Sequence, residues 1–246
     1  SIRVLNGAPC FVDAHWTRLQ EGLKVLRIET PAGLDPSSIV RMITELSGAY
    51  GLPNGRARLT VYRDAPGYYR PRAHTGGYTI ELHPVPTPNY ALNLQGHTVD
   101  IYPEMRKPVN MLAVHKTLNC QIYVMASLWC MERGLDDCLL QNDRGNIIES
   151  SSGNLFIVSN GVLYTPSLSD GCIGGVMRMQ VINLAIANGI KVYECSLNPQ
   201  NLLAADELFF TNAARGVQWV SAYRTKRYAH RMAQHLTGLL VARVLS

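Results

Sequence analysis

Between residues 137 and 165 the chain alternates short apolar runs with turn residues. Residues 137–141, an apolar run ending at Glu149, residues 154–159 and residues 162–165 are separated by Asn142-Asp143-Arg144-Gly145, Ser150-Ser151-Ser152-Gly153 and Asn160-Gly161. Strand-length runs joined by Asn-, Asp- and Gly-bearing turns close as hairpins. This stretch is therefore sheet, with a large antiparallel component. Any helix must come from the flanking sequence.

The flanks supply helices by their own signals. Asp13 reads as the cap of a helix to about residue 27, with Trp16, Leu19, Leu23, Val25 and Leu26 as its apolar positions. Asp35-Pro36 opens a second helix to about residue 50, with proline where its missing donor does no harm. Residues 116–133 read as a helix ended by Gly134, residues 174–188 as another closed by Gly189, and residues 228–245 as a third. Residues 2–5, 58–63, 78–83, 98–102, 191–195 and 207–211 read as further strands. Mixed elements in this order give an α+β (mixed α/β) protein. The irregular, proline-bearing residues 103–110 place a boundary between domains 1–104 and 105–246.

Composition narrows the functional class. The chain has 246 residues with 47% hydrophobic and 17% charged, an ordinary globular balance. No apolar run reaches the ~18 residues of a membrane span. Twenty-three Lys+Arg against eighteen Asp+Glu leave +5, too weak a balance for nucleic acid but suited to a small anionic substrate. The basic stretch 223–231 carries no aromatic stacking platform and reads as a solvated face. Six cysteines without a C-x-x-C pair read as reduced thiols, and the N-terminus lacks a signal-peptide pattern, so a cytoplasmic protein is expected. The histidines have no metal-ligand spacing, so no metal is expected.

Amine chemistry has few candidates, because only Lys24, Lys107, Lys116, Lys191 and Lys226 are lysines. Lys116 follows the apolar Met111-Leu112-Ala113-Val114, which would partly desolvate it and make its amine a nucleophile. The bland alternative is a lysine reaching from a helix start into water. Glu149, at the end of its apolar run, is either an acid pointing into a site or an edge-strand carboxylate in water. Asp170-Gly171-Cys172-Ile173-Gly174-Gly175-Val176-Met177-Arg178 runs a Gly-rich loop into a helix whose first amides suit a phosphate. Its spacing fits neither a P-loop nor a dinucleotide fingerprint.

The order of these pieces resembles the class IV aminotransferases, the fold-type IV pyridoxal-phosphate enzymes with the two-domain D-amino-acid aminotransferase-like fold. The resemblance runs through His115-Lys116-Thr117-Leu118-Asn119, the glycine-flanked segment 145–156 around Glu149, Val176-Met177-Arg178, and residues 202–213. It implies that Lys116 forms the Schiff base with pyridoxal 5'-phosphate and is the catalytic residue. Glu149, 33 positions after Lys116, would pair with the pyridine nitrogen. The amides of Val176 and Met177, with Arg18 and the Asn212-Ala213 turn, would hold the phosphate. It also implies a homodimer. The first hairpin of the family's small domain is not represented ahead of residues 1–4.

Two departures narrow the resemblance. Val176-Met177-Arg178 stands where transaminases of the family carry Ile-Thr-Arg, and Thr211-Asn212-Ala213 stands where they carry Gly-Thr or Ser-Thr. Both are similar to the 4-amino-4-deoxychorismate lyases, which give 4-aminobenzoate and pyruvate. The alternative is a transaminase acting on branched-chain or D-amino acids. Thr211 or Asn212 would orient the leaving group. Arg70, Arg72 and His74, in the Gly-, Pro- and Arg-rich loop 66–75, are the candidates for binding substrate carboxylates.

Overall fold

The computed structural model of the chain describes residues 1–245. They form two compact units that divide between Asn89 and Tyr90.

The first unit begins with β1 (Ile2–Leu5), which turns through Asn6 and Gly7 into the two-residue β2 (Ala8–Pro9). Both turn residues have positive φ, 50° and 82°, which Asn and Gly tolerate best. Then come α1 (Val12–Leu26), α2 (Pro36–Tyr50), β3 (Gly55–Arg63) and β4 (Gly76–Pro84). The strands form one antiparallel sheet in the order β2-β1-β3-β4. Ile2 and Val4 of β1, Ala57 of β3, and Leu34, Ile39 and Ile43 in and before α2 make its core.

Helix α2 starts as expected. Asp35 accepts the amide of Ser38 at 2.7 Å, and the Ser38 hydroxyl accepts the amide of Asp35 at 2.8 Å, a reciprocal capping box with Pro36 in the first turn. Helix α1 differs. It begins at Val12, after Phe11 in a left-handed conformation (φ 56°), and Asp13 lies inside its first turn rather than capping it. There the carboxylate complements the helix dipole.

The second unit contains β5 (His97–Ile101), α3 (Gln121–Glu132), β6 (Asp137–Gln141), β7 (Ile147–Ser150), β8 (Asn154–Ser159), β9 (Val162–Pro166), α4 (Val176–Ala187), β10 (Val192–Cys195), α5 (Pro199–Ala204), β11 (Glu207–Asn212), β12 (Gly216–Tyr223), β13 (Lys226–Arg227) and α6 (Arg231–Leu245). Strands β8, β11, β12, β5, β6 and β7 pair in that order, and β7 pairs back with β8. These six strands therefore close into a ring, and β9 and then β10 extend the sheet outward from β8. The closing pair is Glu149 with Asn154. Leu139, Ile147, Leu155, Leu208, Phe210 and Val220 belong to one core cluster of this unit. A second cluster packs Ala126, Trp129 and Cys130 of α3 against Cys138, Leu140 and Ile148.

Three expectations change. The compact units divide at Asn89/Tyr90 rather than at residue 104. The reason is β5, which pairs with β6 and β12 in the large sheet, and Asn93, which bonds the backbone of Trp219. Residues 116–120 are not helical, since α3 begins only at Gln121. Strand β12 was not expected at all, and with β13 it delays the last helix from residue 228 to Arg231.

The capping box gives a test. Hydrogen bonds from Ser38 hold the Asp35 carboxyl below its ordinary pKa. A lowered folded-state pKa gives stability that is present above the unfolded-state pKa and lost as pH falls through the folded-state value. Asp35→Ala should therefore lower the melting temperature at neutral pH, and the gap from the parent should narrow in acid below the ordinary carboxylate range. Thermal melts across pH check both.

Candidate functional site

The site in the second unit is built around two buried carboxylates on neighbouring strands. Asp137 opens β6 and is 4% exposed. It accepts five hydrogen bonds: from the amides of Cys138 (2.7 Å) and Ser151 (3.1 Å), and from the hydroxyls of Ser150 (2.9 Å), Ser151 (2.6 Å) and Ser152 (2.6 Å). The serine run after Glu149 is thus an anchor. Its three hydroxyls and Asp137 fix the turn that joins β7 to β8.

Glu149 is 2% exposed, so the edge-strand carboxylate in water is excluded. It pairs with Leu140 across the β6–β7 ladder, and the register slips between Leu140 and Gln141. Such a bulge re-aims side chains. Opposed residues share a sheet face, so Glu149 and Leu140 lie on the face that α3 covers. There Oε1 accepts the Tyr123 hydroxyl at 2.7 Å and the Lys107 ammonium at 2.7 Å, and Oε2 accepts the amide of Ile173 at 2.9 Å. Burial, and next the charge of Glu149, push the Tyr123 phenol far above its ordinary pKa, so it stays a donor.

Lys107 and Tyr123 had no signal in the sequence. Lys107 sits in the irregular Arg106-Lys107-Pro108, and Tyr123 in an apolar helix. The Lys107 backbone is pinned against the β6–β7 turn, its amide donating to Gln141 O at 2.9 Å and its carbonyl accepting from Asp143 N at 3.2 Å.

The loop that bonds Glu149 leads into α4. Gly174 donates to the carbonyl of Val114 at 2.9 Å, two residues before Lys116. Asn154 donates from Nδ2 to Ile173 O at 2.7 Å. A Cβ on Gly175 would collide with Asn154 Oδ1, which its own bond to Ile173 holds in place, so glycine fits between β8 and the helix start. Gly175 precedes the helix and has no side chain to cap it. The amides of Val176 and Met177, both buried, lie in the first helical turn, where no intrahelical acceptor exists. Such a helix start is suited to an anion. The guanidinium of Arg178 points away from it, into Thr165 Oγ1, Pro166 O and Glu194.

Asn212 joins the same neighbourhood through Nδ2 to Ser152 O at 3.4 Å, and its Oδ1 accepts the amides of Ala214 and Arg215. Ala213 contributes its carbonyl to Tyr90 at 3.0 Å. The Thr211 hydroxyl, at 1% residue exposure, has no hydrogen-bond partner among the described residues. Lys116 is exposed, as are Met111 and Leu112 ahead of it, so the expected desolvation by that apolar run is not found. The residue is accessible instead.

The remaining candidates lie in the first unit. Arg18 is half-buried on α1 rather than solvated, with Nη2 at 3.5 Å from His15 Nδ1. Burial, and next the Arg18 charge, drive the His15 pKa down to about 2, so the imidazole is neutral and able to accept. Arg70 and Arg72 are exposed. His74 is 3.1 Å from Arg63, which also bonds the Leu26 and Arg27 carbonyls at the end of α1. Arg63 therefore ties the loop to that helix end. Among the described residues no group of three His, Cys, Asp or Glu side chains is placed to hold a metal.

Comparison with known proteins decides the family. The class IV amino-transferase family model matches residues 1–223. The chain belongs to that family. A protein of Methanocaldococcus jannaschii assigned to the branched-chain-amino-acid aminotransferases is 32% identical over 214 residues, covering 87% of this chain and 73% of its own. The 4-amino-4-deoxychorismate lyase of Pseudomonas aeruginosa superposes with a TM-score of 0.83 at 25% identity, over 97% of this chain and 87% of that one. An aminotransferase of Brucella abortus solved with PLP has a TM-score of 0.87 at 19% identity, over 100% of this chain and 88% of that one. The fold is thus the fold-type IV architecture expected, and the expected cofactor is one that a structural neighbour carries. Family members are transaminases and lyases, and this chain is an enzyme of that class.

Asp137→Ala would strip the acceptor from five donors at once. Loss of charged hydrogen bonds on this scale should cost about 2–4 kcal/mol, well above a typical surface change. Urea unfolding measures it, and a cost below about 0.5 kcal/mol would show that the serines find other partners.

Proposed function

We propose that the second unit binds pyridoxal 5'-phosphate and that the chain converts 4-amino-4-deoxychorismate to 4-aminobenzoate and pyruvate. The observation that carries the cofactor reading is the Ile173–Glu149 hydrogen bond, which ties an uncapped, buried helix start to a buried acid. The donor set fits the group. The Val176 and Met177 amides would take the phosphate, with the unpartnered Thr211 hydroxyl beside the Asn212-Ala213 turn as a further donor. Glu149 would hold the ring nitrogen, and Lys116 would supply the amine that carries the cofactor.

Bound there, the cofactor supplies an electron sink for the carbon that bears the substrate amine. Lys116 Nζ then takes the proton from that carbon and returns one to the leaving group, as general base and acid. Glu149 keeps the ring nitrogen protonated. Arg70, Arg72 and His74 are the proposed partners of the substrate's carboxylates, the guanidinium fork suiting two oxygens at once.

The lyase reading rests on Val176-Met177-Arg178 and on Ala213, which leaves no hydroxyl where transaminases of the family carry threonine. The M. jannaschii relative favours a second reading, transamination of branched-chain amino acids. Incubation of the yellow, cofactor-loaded protein with 4-amino-4-deoxychorismate separates them. The lyase releases 4-aminobenzoate, and Lys116→Ala abolishes it, a loss of at least about 10³-fold. No 4-aminobenzoate, with turnover of a branched-chain amino acid and 2-oxoglutarate, would establish the transaminase.

We further propose a homodimer in the cytoplasm. Helix α3 is largely apolar, with apolar residues on more than one face, and a helix of that kind is ordinarily covered. Val124, Met125, Leu128 and Met131 are exposed on it. A second copy would cover them. Leu128→Glu should shift sedimentation from dimer to monomer, and an unaltered dimer would place the interface elsewhere. All six cysteines are free, which suits a reducing compartment, and no helix is long and apolar enough to cross a membrane among the described residues.

A further inference from the structure

We propose that Lys107 is a positioning residue that keeps Glu149 ionised, and through it keeps the cofactor's ring nitrogen protonated; the second half rests on the reading of Glu149 given above.

The ammonium of Lys107 lies 2.7 Å from Glu149 Oε1, with the two side chains 10% and 3% exposed. A carboxylate so buried and without a cation would take up a proton. The other described groups bonded to it, and the thiol beside them, carry no positive charge. Tyr123, from α3, is a neutral phenol whose ionisation burial opposes. Ile173 offers an amide. Cys172, in the same loop, is a buried thiol with its pKa raised to about 12. Lys107 is therefore the charge that balances Glu149 before any ligand arrives.

The consequence for the ring follows from distance. A proton shared between Glu149 and a ring nitrogen sits on whichever is the stronger base. Lys107, in direct contact with the carboxylate, weakens that base more than it weakens a ring nitrogen on the carboxylate's far side. The proton is thereby placed on the ring. The Lys107 backbone is bonded on both sides to the β6–β7 turn, which fixes the point from which its side chain reaches Glu149. Its ammonium also lies 5.5 Å from the centre of the Tyr123 ring, which holds it over the aromatic face.

Infrared difference spectra of the cofactor-free protein read the first half. Lys107→Met should show a protonated carboxyl band that disappears when Glu149→Gln is added, about one per chain. Lys107→Arg should restore the ionised carboxylate, and Tyr123→Phe, which removes a hydrogen bond but no charge, should leave it ionised. Absence of the band in Lys107→Met, or the same band in Tyr123→Phe, overturns the proposal. If Lys107→Met does not fold, parent against Glu149→Gln serves: a protonated Glu149 band in the parent at neutral pH overturns it equally. For the second half, protein loaded with cofactor labelled with 15N in the ring is compared by NMR. The ring signal should move to the unprotonated position in Lys107→Met and return in Lys107→Arg. If Glu149→Gln moves the signal and Lys107→Met does not, this inference fails while the cofactor reading stands. If Glu149→Gln leaves the signal in place, the reading of Glu149 fails instead.

Discussion

A carboxylate taken out of water must be met by donors or by a cation, or it becomes a carboxyl. Glu149 meets this constraint with three groups drawn from three places: Lys107 from the segment before β6, Tyr123 from α3, and the Ile173 amide from the loop before α4. Glu149 also forms the pair with Asn154 that closes the strand ring. The one side chain thus links ring closure, the docking of α3 and the placement of the α4 start. Removing one partner of such a buried ion pair costs about 3–5 kcal/mol in general, because the other charge is left behind.

The two buried acids of the second unit solve the same problem differently. Asp137 is surrounded by neutral donors, three of them serine hydroxyls, and serves to fix a turn. Glu149 has a cation, which leaves it able to meet a further polar group without first losing a proton. The two acids are distinguished by the charge of their neighbours rather than by depth, since both are almost wholly buried.

Much of this was legible in the sequence where the cause is local. The Asp35-Pro36 start of α2 and the strands Asp137–Gln141 and Asn154–Ser159 fall where their residues place them, because caps and turns act over a few positions. The joint order of Lys116, Glu149 and Val176-Met177 pointed to the family, which the match over residues 1–223 bears out. What was missed depends on distant contacts. Strand β12 lies between a turn and a basic stretch and is defined by its pairing with β11 and β5. The unit boundary at Asn89 is set by β5 joining a sheet formed mainly from later residues. Lys107 and Tyr123 are 42 and 26 positions from Glu149, and nothing near either residue announces the contact. The serine run carried a signal, but its meaning required Asp137 on the neighbouring strand.

The central claim is that Glu149 and the start of α4 form one cofactor site. A crystal structure of the cofactor-loaded protein tests it most directly. The account predicts the ring nitrogen within hydrogen-bond distance of Glu149 and the phosphate on the Val176 and Met177 amides, with Lys107 still on Oε1. A phosphate bound elsewhere, or a ring nitrogen facing a group other than Glu149, would contradict it.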